Sequence, residues 1–269
     1  MEPRLLFASA AAHYRRYRNG YGEEVIGHIA RELSLGARSR VLDLGCGPGT
    51  LAIPLSRYAG TVTAVDPSDD MLAEGAREAP AGIRWIRGDS GRLAALPLGR
   101  VDHVVMGRSF HWMERARVLA DLDAMLPPDG AVVLVGPGRD PVEPPWEPVV
   151  QTVRRRFDIE WRLNGKEGFQ QSGRHHADVV AESAFGDIST ATFRRTVRRD
   201  IEQVIGLQLS FSFSTPARLG DRLPGFVEAL DEALSRAEPG GSWAETVETE
   251  VLIARRPRAG QGGGHLERP

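Results

Sequence analysis

The stretch that decides the fold is Val41-Leu42-Asp43-Leu44-Gly45-Cys46-Gly47-Pro48-Gly49-Thr50. Its apolar beginning predicts a buried strand over Val41–Leu44, and the residues after it predict a helix over Thr50–Tyr58. Between them lie three glycines, which can adopt positive φ and let a ligand approach the main chain without a Cβ in the way. Because the N-terminus of a helix offers free N–H groups, the stretch predicts a ligand-binding turn.

Three details distinguish this turn from the one that binds nicotinamide or flavin dinucleotides. The glycine spacing is G-x-G-x-G instead of G-x-G-x-x-G, and Pro48 stiffens a turn that need not wrap a pyrophosphate. The third detail is Asp43, which lies inside the end of the strand. A buried carboxylate there is costly unless a cationic or N–H-rich group meets it, and the ammonium of a methionine moiety is such a group.

Two more acids follow the next two predicted strands. Asp66 ends the second strand about 20 residues after the glycine turn, where a carboxylate can accept hydrogen bonds from ribose hydroxyls. Asp89 follows the third strand in Arg87-Gly88-Asp89-Ser90, at the sheet edge where an adenine amino group would lie. The alternative for each acid, Asp43 included, is a turn or helix-capping residue.

Short apolar runs alternate with helical patterns over residues 40–136, which predicts a doubly wound, mostly parallel α/β sheet. The strands are predicted at Val41–Leu44, Thr61–Val65, Ile83–Ile86, Val101–Met106 and Ala131–Val135, and the helices between them at Thr50–Tyr58, Ser68–Glu78 and Glu114–Leu126.

The rest of the chain divides into four further parts. Residues 1–36 are predicted to form two helices, 137–187 a cap or insertion, 188–257 the end of the sheet with a helical insertion, and 258–269 a disordered tail. Strand-like alternation appears at Thr190–Val197 and Thr246–Ala254. The basic runs at 154–156 and 194–199 are interpreted as solvated faces.

Composition excludes several classes of function. The 269 residues carry 34 Lys and Arg against 36 Asp and Glu, so there is no basic surplus of the kind that nucleic-acid binding requires. The single cysteine, Cys46, excludes an intrachain disulfide and a cysteine-rich zinc site. No apolar run approaches the ~20 residues that span a bilayer. We expect a cytoplasmic protein with a small-molecule substrate, no nucleic-acid or membrane partner and no metal; the oligomeric state is left open.

These motifs resemble the class I S-adenosylmethionine-dependent methyltransferases over residues 14–135, about half of the chain. The resemblance implies a Rossmann-like seven-stranded sheet with helices on both faces and an antiparallel last strand, plus a helical cap. It also implies S-adenosylmethionine as cofactor. Its implied binding residues are Asp43, Gly45 and Gly47 for the methionine end, Asp66 for the ribose, Met71 beside the adenine, and Asp89 and Ser90 at the adenine edge. Pro67 and Ser109 are further candidate cofactor-binding residues.

Two further motifs resemble the small-molecule group, methyltransferase type 11, that includes trans-aconitate methyltransferases. They are His13-Tyr14-Arg15-Arg16-Tyr17-Arg18 and Ser109-Phe110-His111-Trp112-Met113, the second directly after strand four. Related chains often have a proline after the first motif, where this chain has Asn19-Gly20. The resemblance implies that the N-terminal helices of residues 1–36 fold over the cofactor, with Tyr14, Tyr17 or Arg18 near its carboxylate. Alternatively, Tyr14 and Tyr17 pack one helix face.

His111 is the candidate catalytic residue, because it follows strand four close to where the methyl group should lie. A neutral imidazole there could act as general base, and the alternative is that it orients the loop and walls the pocket. His175 and His176 are interpreted as an exposed pair. Trp146, Trp161 and Phe169 could line an apolar pocket or serve ordinary packing.

The predicted function is methyl transfer from S-adenosylmethionine to O, N or C of a metabolite by in-line displacement, with natural-product biosynthesis as one candidate setting. Three alternatives stay open: a non-methylating reaction such as a cyclisation on the same cofactor site, a binding module that senses the cofactor, and a nicotinamide dehydrogenase.

Overall fold

The computed structural model describes residues 9–138, 141–159 and 174–257. Their strands form one seven-stranded sheet in the order β3-β2-β1-β4-β5-β7-β6. The first five strands are parallel, and β7 pairs antiparallel with both β5 and β6, so β7 alone runs against the others. This confirms the predicted Rossmann-like fold. The strands are Arg40–Leu44 (β1), Thr61–Asp66 (β2), Ile83–Arg87 (β3), His103–Gly107 (β4), Ala131–Gly136 (β5), Asp187–Asp200 (β6) and Ser242–Arg255 (β7).

Helices lie between the strands and above the carboxyl edge of the sheet. They are Ala11–Tyr17 (α1), Glu23–Glu32 (α2), Ala52–Leu55 (α3), Asp69–Glu78 (α4), Arg115–Met125 (α5), Glu147–Arg156 (α6), His176–Ala181 (α7), Ile201–Leu209 (α8), Pro216–Leu219 (α9) and Leu223–Ala237 (α10). Local signals begin two of them: the Ser68 side chain accepts a hydrogen bond from the first turn of α4, and Asp200 with Gln203 forms a capping box on α8.

Two apolar layers cover the two faces of the sheet. One contains Phe110 and α5, and the other contains α2 and the start of α3, and both contact buried strand residues. A third apolar cluster lies away from the sheet and joins α6, α8 and α10 around Trp146, Phe226 and Trp243. We call these three helices the helical cluster. Burial of their apolar side chains at roughly 25 cal/mol per Å² holds them to one another.

The last two strands are longer than their sequence pattern predicts, and the extra length has a structural consequence. β7 pairs with β5 only over residues 250–255, and Gly136 at the carboxyl end of β5 faces Glu250. Residues 242–249 therefore continue beyond the carboxyl edge of the sheet, paired with residues 193–200 of β6. We call this extension the ribbon. It brings side chains of the late sequence above the edge where ligands bind in open α/β sheets.

Other predictions from sequence need correction. The helix predicted at Thr50–Tyr58 is regular only over Ala52–Leu55. The basic runs are not uniformly solvated, since Arg154 and Arg199 are both buried. Arg154 donates to Glu147 at 2.8 Å and to Gln208, inside the helical cluster. Residues 160–173 and 258–269, with Trp161, Phe169 and the predicted tail, lie outside the described residues. Within the described part of the chain, no helix is both long and apolar enough to cross a membrane.

Candidate active site

The glycine turn connects β1 to α3 at the centre of the carboxyl edge. Gly45, Gly47 and Gly49 have φ values of +70°, +54° and +81°, which an L side chain rarely adopts. A Cβ on Gly45 would lie 2.5 Å from the Cβ of Ser109, which itself donates a 2.7 Å hydrogen bond to the Leu44 carbonyl. Gly45 is thus required for the contact between the β1 and β4 ends, whereas a Cβ on Gly47 would meet nothing within 4 Å.

Asp43 is buried at the end of β1 with only part of its bonding capacity used. Its Oδ2 accepts a 2.9 Å hydrogen bond from the Ala52 N–H at the start of α3, and its Oδ1 has no hydrogen-bond partner within residues 9–138, 141–159 and 174–257. Burial raises the pKa of this carboxyl to about 7, the Ala52 N–H opposes the rise, and the Asp66 charge adds to it. A cationic group placed at Oδ1 would restore the ionised form.

Asp66 ends β2 and shapes the turn from beside it. Its two oxygens accept hydrogen bonds from the N–H of Gly47 at 2.8 Å and of Ser68 at 2.9 Å. Burial raises its pKa, and these two N–H groups oppose the rise. Each oxygen keeps a second lone pair for a ligand hydroxyl. Pro67 is half-buried and Met71 is buried beside it in the first turn of α4.

Asp89 and Ser90 lie at the same edge beyond β3. The Asp89 side chain accepts a 2.8 Å hydrogen bond from the Gly91 N–H and caps the short 3₁₀-helix Ser90–Ala95. The capping alternative considered from sequence is therefore present for Asp89. The exposed side chain retains acceptor capacity, so a ligand contact at this position is compatible with the cap.

A cavity of about 260 Å³ lies between the glycine turn and the N-terminal segment. Tyr14, Arg18 and Tyr21 line one side of it, and Gly49 and Thr50 line the other. Arg18 is held by a 3.0 Å hydrogen bond from its Nε to the Ser210 hydroxyl, and by the rings of Tyr14 and Phe211 at 4.6 and 4.5 Å. The N-terminal segment is therefore part of the site and is fixed to it from the far end of α8.

Tyr17 lies outside this cavity, which corrects one of the three residues implied for the carboxylate. Its ring packs where a Cβ on Gly206 would lie, and its hydroxyl donates a 2.8 Å hydrogen bond to Glu202. Tyr17 therefore packs against a neighbouring helix, as the alternative from sequence proposed, whereas Tyr14 lines the cavity.

His111 follows β4 in the 3₁₀-turn Phe110–Trp112 and is half-buried. Its ring centroid is 4.9 Å from that of Trp112 and stacks at 6.3 Å on His176. The pKa of His111 is lowered to about 4, first by burial and then by electrostatic interaction with His176, Arg18, Arg108 and Arg115. The imidazole is therefore neutral near pH 7 and is a weak base.

His176 is the second histidine of the site, although the sequence indicated an exposed pair. That prediction is wrong for His176, which contacts the Phe110 ring at 5.2 Å and lies 3.1 Å from Arg115 Nη1. Since a guanidinium can only donate, His176 Nδ1 accepts. Its pKa is lowered to about 4, first by burial and then by Arg115. His175 is exposed.

Four functional candidates escaped the sequence reasoning: Tyr21, Arg108, Arg195 and Arg199. Tyr21 is buried, and its hydroxyl lies 2.7 Å from where a Cβ on Gly107 would stand. Arg108 directly follows β4, a position that could have been noticed from sequence. Arg195 and Arg199 reach the site through the ribbon, which no local pattern predicts.

Trp146 packs within the helical cluster, which was the packing alternative given for it from sequence, and its Nε1 donates a 2.7 Å hydrogen bond to Glu245. Among the described residues, no group of three metal-binding side chains is present.

Comparison with known proteins gives concordant findings. Residues 41–130 match a family model described as a methyltransferase domain. An uncharacterized methyltransferase of Mycobacterium tuberculosis (strain ATCC 25618 / H37Rv) is 35% identical over 138 residues, which are 51% of this chain and 54% of the relative. The chain thus spans about half the length of this relative.

Solved structures share the fold over most of the chain. A structure from Anaeromyxobacter dehalogenans has a TM-score of 0.64 at 18% identity, covering 89% of this chain and 98% of that one. A SAM-dependent methyltransferase from Geobacter sulfurreducens, solved with S-adenosyl-L-homocysteine, has a TM-score of 0.53 at 17% identity, covering 93% and 98%. The whole sheet, ribbon side included, therefore belongs to a known architecture.

Proposed function

We propose that this chain is a class I S-adenosylmethionine-dependent methyltransferase, which transfers a methyl group from S-adenosylmethionine to a small metabolite; the methyltransferase-domain match and the relatives support this. The observation that carries this proposal is Asp43, a buried carboxylate with one oxygen that has no hydrogen-bond partner among the described residues, beside an open glycine turn. The near-neutral net charge and the absence of a basic surplus support a small molecule over a nucleic acid as acceptor.

The residues present fit this cofactor. Asp43 Oδ1 can accept from an ammonium group, and the space above Gly47 admits a ligand close to the main chain. Asp66 offers its remaining lone pairs to ribose hydroxyls, with Pro67 and Met71 placed to flank the adenine and Asp89 with Ser90 at the adenine edge. When bound, S-adenosylmethionine supplies a methyl group on a cationic sulfur.

Arg18 and Tyr14 complete the cofactor end of the site. They line the cavity opposite Gly49 and Thr50, together with Arg15, and Arg18 is the cation that we infer to bind a carboxylate there. Its guanidinium is already oriented by Ser210 and two aromatic rings, so little side-chain freedom is lost on binding. We assign the methionine carboxylate to Arg18.

His111 acts in this proposal by orienting the acceptor and excluding water. Its low pKa means that a proton taken from the acceptor would be held weakly, so the general-base alternative applies only to an acidic acceptor. Methyl transfer is an in-line displacement that depends chiefly on alignment and on stripping water from the nucleophile. A neutral, stacked imidazole at the end of β4 provides both.

The test is titration calorimetry of the full chain with S-adenosylmethionine and, separately, with NADH. We expect micromolar binding of S-adenosylmethionine and none of NADH. The Asp66→Ala variant should bind at least about 100-fold more weakly, because each hydrogen bond to a charged group contributes about 1.5–3 kcal/mol. Asp69→Ala is the matched control, since Asp69 is an exposed first-turn residue of α4 and should leave the affinity unchanged.

Turnover is then tested by screening metabolites for S-adenosylhomocysteine release. Release that depends on the acceptor, with a methylated product, supports methyl transfer. Binding of the cofactor with product formed but no S-adenosylhomocysteine would favour the non-methylating alternative. If wild-type protein does not bind S-adenosylmethionine, the proposed function is wrong.

A further inference from the structure

Four arginines lie near one another beyond the β4 and β5 end of the sheet. Arg18 comes from the N-terminal segment, Arg108 from the end of β4, and Arg195 and Arg199 from the ribbon. Arg108 and Arg199 act electrostatically on both Arg18 and Arg195, and Arg18 and Arg108 act on His111. These side chains therefore lie within mutual range although the chain separates them by up to 181 residues.

Arg108 is held in an unfavourable backbone conformation at this place. Its φ is +53°, which costs an L residue with a Cβ a measurable strain and is common only for Gly, Asn and Asp. Strained residues concentrate at functional sites because the surrounding structure must maintain them. The main chain is fixed by a 3.0 Å hydrogen bond from the Arg108 N–H to the Val135 carbonyl.

The Arg108 side chain is directed into the protein and is incompletely bonded. Its Nε is buried and has no hydrogen-bond partner in the described part of the chain. The guanidinium lies 6.0 Å from the Tyr21 ring centroid, and its Cγ is 3.8 Å from where a Cβ on Gly136 would stand. The side chain is thus directed along the ends of β4 and β5, with a buried donor available for an acceptor atom.

Arg195 shows the same pattern from the opposite side. Its Nε is also buried without a partner among the described residues, and its Nη2 donates to the Gly20 carbonyl. Its Nη1 lies 3.5 Å from where a Cβ on Gly22 would stand. Arg108 and Arg195 therefore flank the Tyr21–Gly22 segment, and each leaves one guanidinium N–H unsatisfied.

The carboxylate that acts electrostatically on Arg195 is Glu245, and both of its oxygens are already engaged. Glu245 is buried against Arg199, with 2.7 Å between its Oε1 and Arg199 Nε, and its Oε2 is taken by Trp146. Arg18 is bonded to Ser210 rather than to an acid. The guanidinium groups of Arg18, Arg108 and Arg115 are among the charges that act on His111. A buried N–H without an acceptor is costly, so an anionic ligand that accepts from the Nε atoms of Arg108 and Arg195 would stabilise the site.

We propose that Arg108 and Arg195 bind an oxyanion of the methyl acceptor, a carboxylate or a phosphate, beside His111. This inference rests on the proposed function and adds the chemical class of the acceptor to it. Arg forms two parallel N–H···O bonds with either group, which fixes orientation as well as affinity. Arg18 lines the cavity beside the glycine turn, whereas Arg108 and Arg195 do not. The cofactor carboxylate and the acceptor oxyanion are therefore assigned to different arginines.

The experiment is titration calorimetry of the full chain with succinate, inorganic phosphate and uncharged succinamide, with and without saturating S-adenosylhomocysteine. We expect succinate or phosphate to bind and succinamide not to bind. Arg108→Asn suits the positive φ and should still fold, and it should weaken the anion at least tenfold. Arg108→Lys keeps the charge without the planar fork and should lose less. Arg100→Asn, an exposed arginine at the opposite end of β4, is the control and should change nothing.

The outcomes separate this inference from the proposed function. Equal anion binding by wild type and Arg108→Asn, or no binding of either anion, overturns the oxyanion site. Loss of S-adenosylhomocysteine affinity in Arg108→Asn, with anion binding intact, would assign Arg108 to the cofactor carboxylate and also overturn it. If wild type binds an anion but not the cofactor, the proposed function fails and the oxyanion site stands. Preference for succinate or phosphate identifies the acceptor group.

Discussion

The two halves of the site are built in different ways. The half at β1 and β2 is organised by the main chain. Its glycines have positive φ, and the carboxylates of Asp43 and Asp66 accept hydrogen bonds from main-chain N–H groups. The half at β4, β5 and the ribbon consists of arginine and histidine side chains, held by Glu245 and aromatic rings. Burial raises the pKa of the acids in the first half and lowers that of the histidines in the second.

This difference indicates a division of labour. Main-chain geometry changes little between bound and free states, so the first half suits a ligand whose shape is constant. Long side chains from separate elements can be exchanged without disturbing the sheet, so the second half suits the ligand that differs between proteins. Each prediction below tests one consequence of this contrast.

The largest effect is expected from the buried ion pair that fixes the ribbon. Glu245→Gln removes the charge that neutralises Arg199, close to three other arginines, and should lower the free energy of unfolding by about 3–5 kcal/mol. Urea denaturation measures it. Glu248→Gln on the same strand is the control, because its partner Arg194 is exposed and such pairs contribute about 1 kcal/mol or less. Equal losses in the two variants would contradict this.

A second effect distinguishes two glycines of one turn. Gly45→Ala should cost about 2–5 kcal/mol, since its Cβ would overlap Ser109 and its φ is positive. Gly47→Ala should cost only the conformational strain of about 1–2 kcal/mol, because its Cβ meets open space. Its methyl group should instead weaken S-adenosylmethionine binding at least tenfold. Similar stability losses for both would show that the turn is not held by β4.

The sequence predicted the first half of the site and little of the second, for a physical reason. Glycines, Asp43 and the Ser68 cap act within a few residues of themselves, so their spacing carries the geometry. Tyr17 was misplaced because a helix pattern does not say which face meets α8. Arg199 was expected in solvent because its partner Glu245 is 46 residues away and pairs only once the ribbon has formed. His176 was predicted to be exposed for the same reason, because its contacts with Phe110 and Arg115 join distant parts of the sequence.

The third prediction concerns acid sensitivity in the second half. The pKa values of His111 and His176 are lowered to about 4 from 6.5, so their stabilising contribution is present above pH 6.5 and is lost as the pH falls through 4. Each should contribute about 2–3 kcal/mol to this loss. His111→Gln and His176→Gln should each flatten the decline of unfolding free energy, measured by urea titration between pH 7 and pH 4. An unchanged slope in both variants would refute the lowered pKa values.

The first half responds to pH in the opposite sense, and this gives the smallest expected signal. Since the pKa of Asp43 is raised to about 7, its contribution to stability is present below about pH 4 and is lost as the pH rises through 7. A cationic ligand at Oδ1 favours the ionised form of Asp43, so S-adenosylmethionine binding at pH 7 should release about half a proton from this carboxyl. Calorimetry in PIPES and in imidazole, which differ in ionisation enthalpy, measures the number. Asp43→Asn should abolish the release, while Asp129→Asn, at an exposed turn, should keep it. If proton release persists in Asp43→Asn, Asp43 is not the group that titrates on cofactor binding. The released proton would then come from the histidine half, and the two halves would not differ in their response to pH.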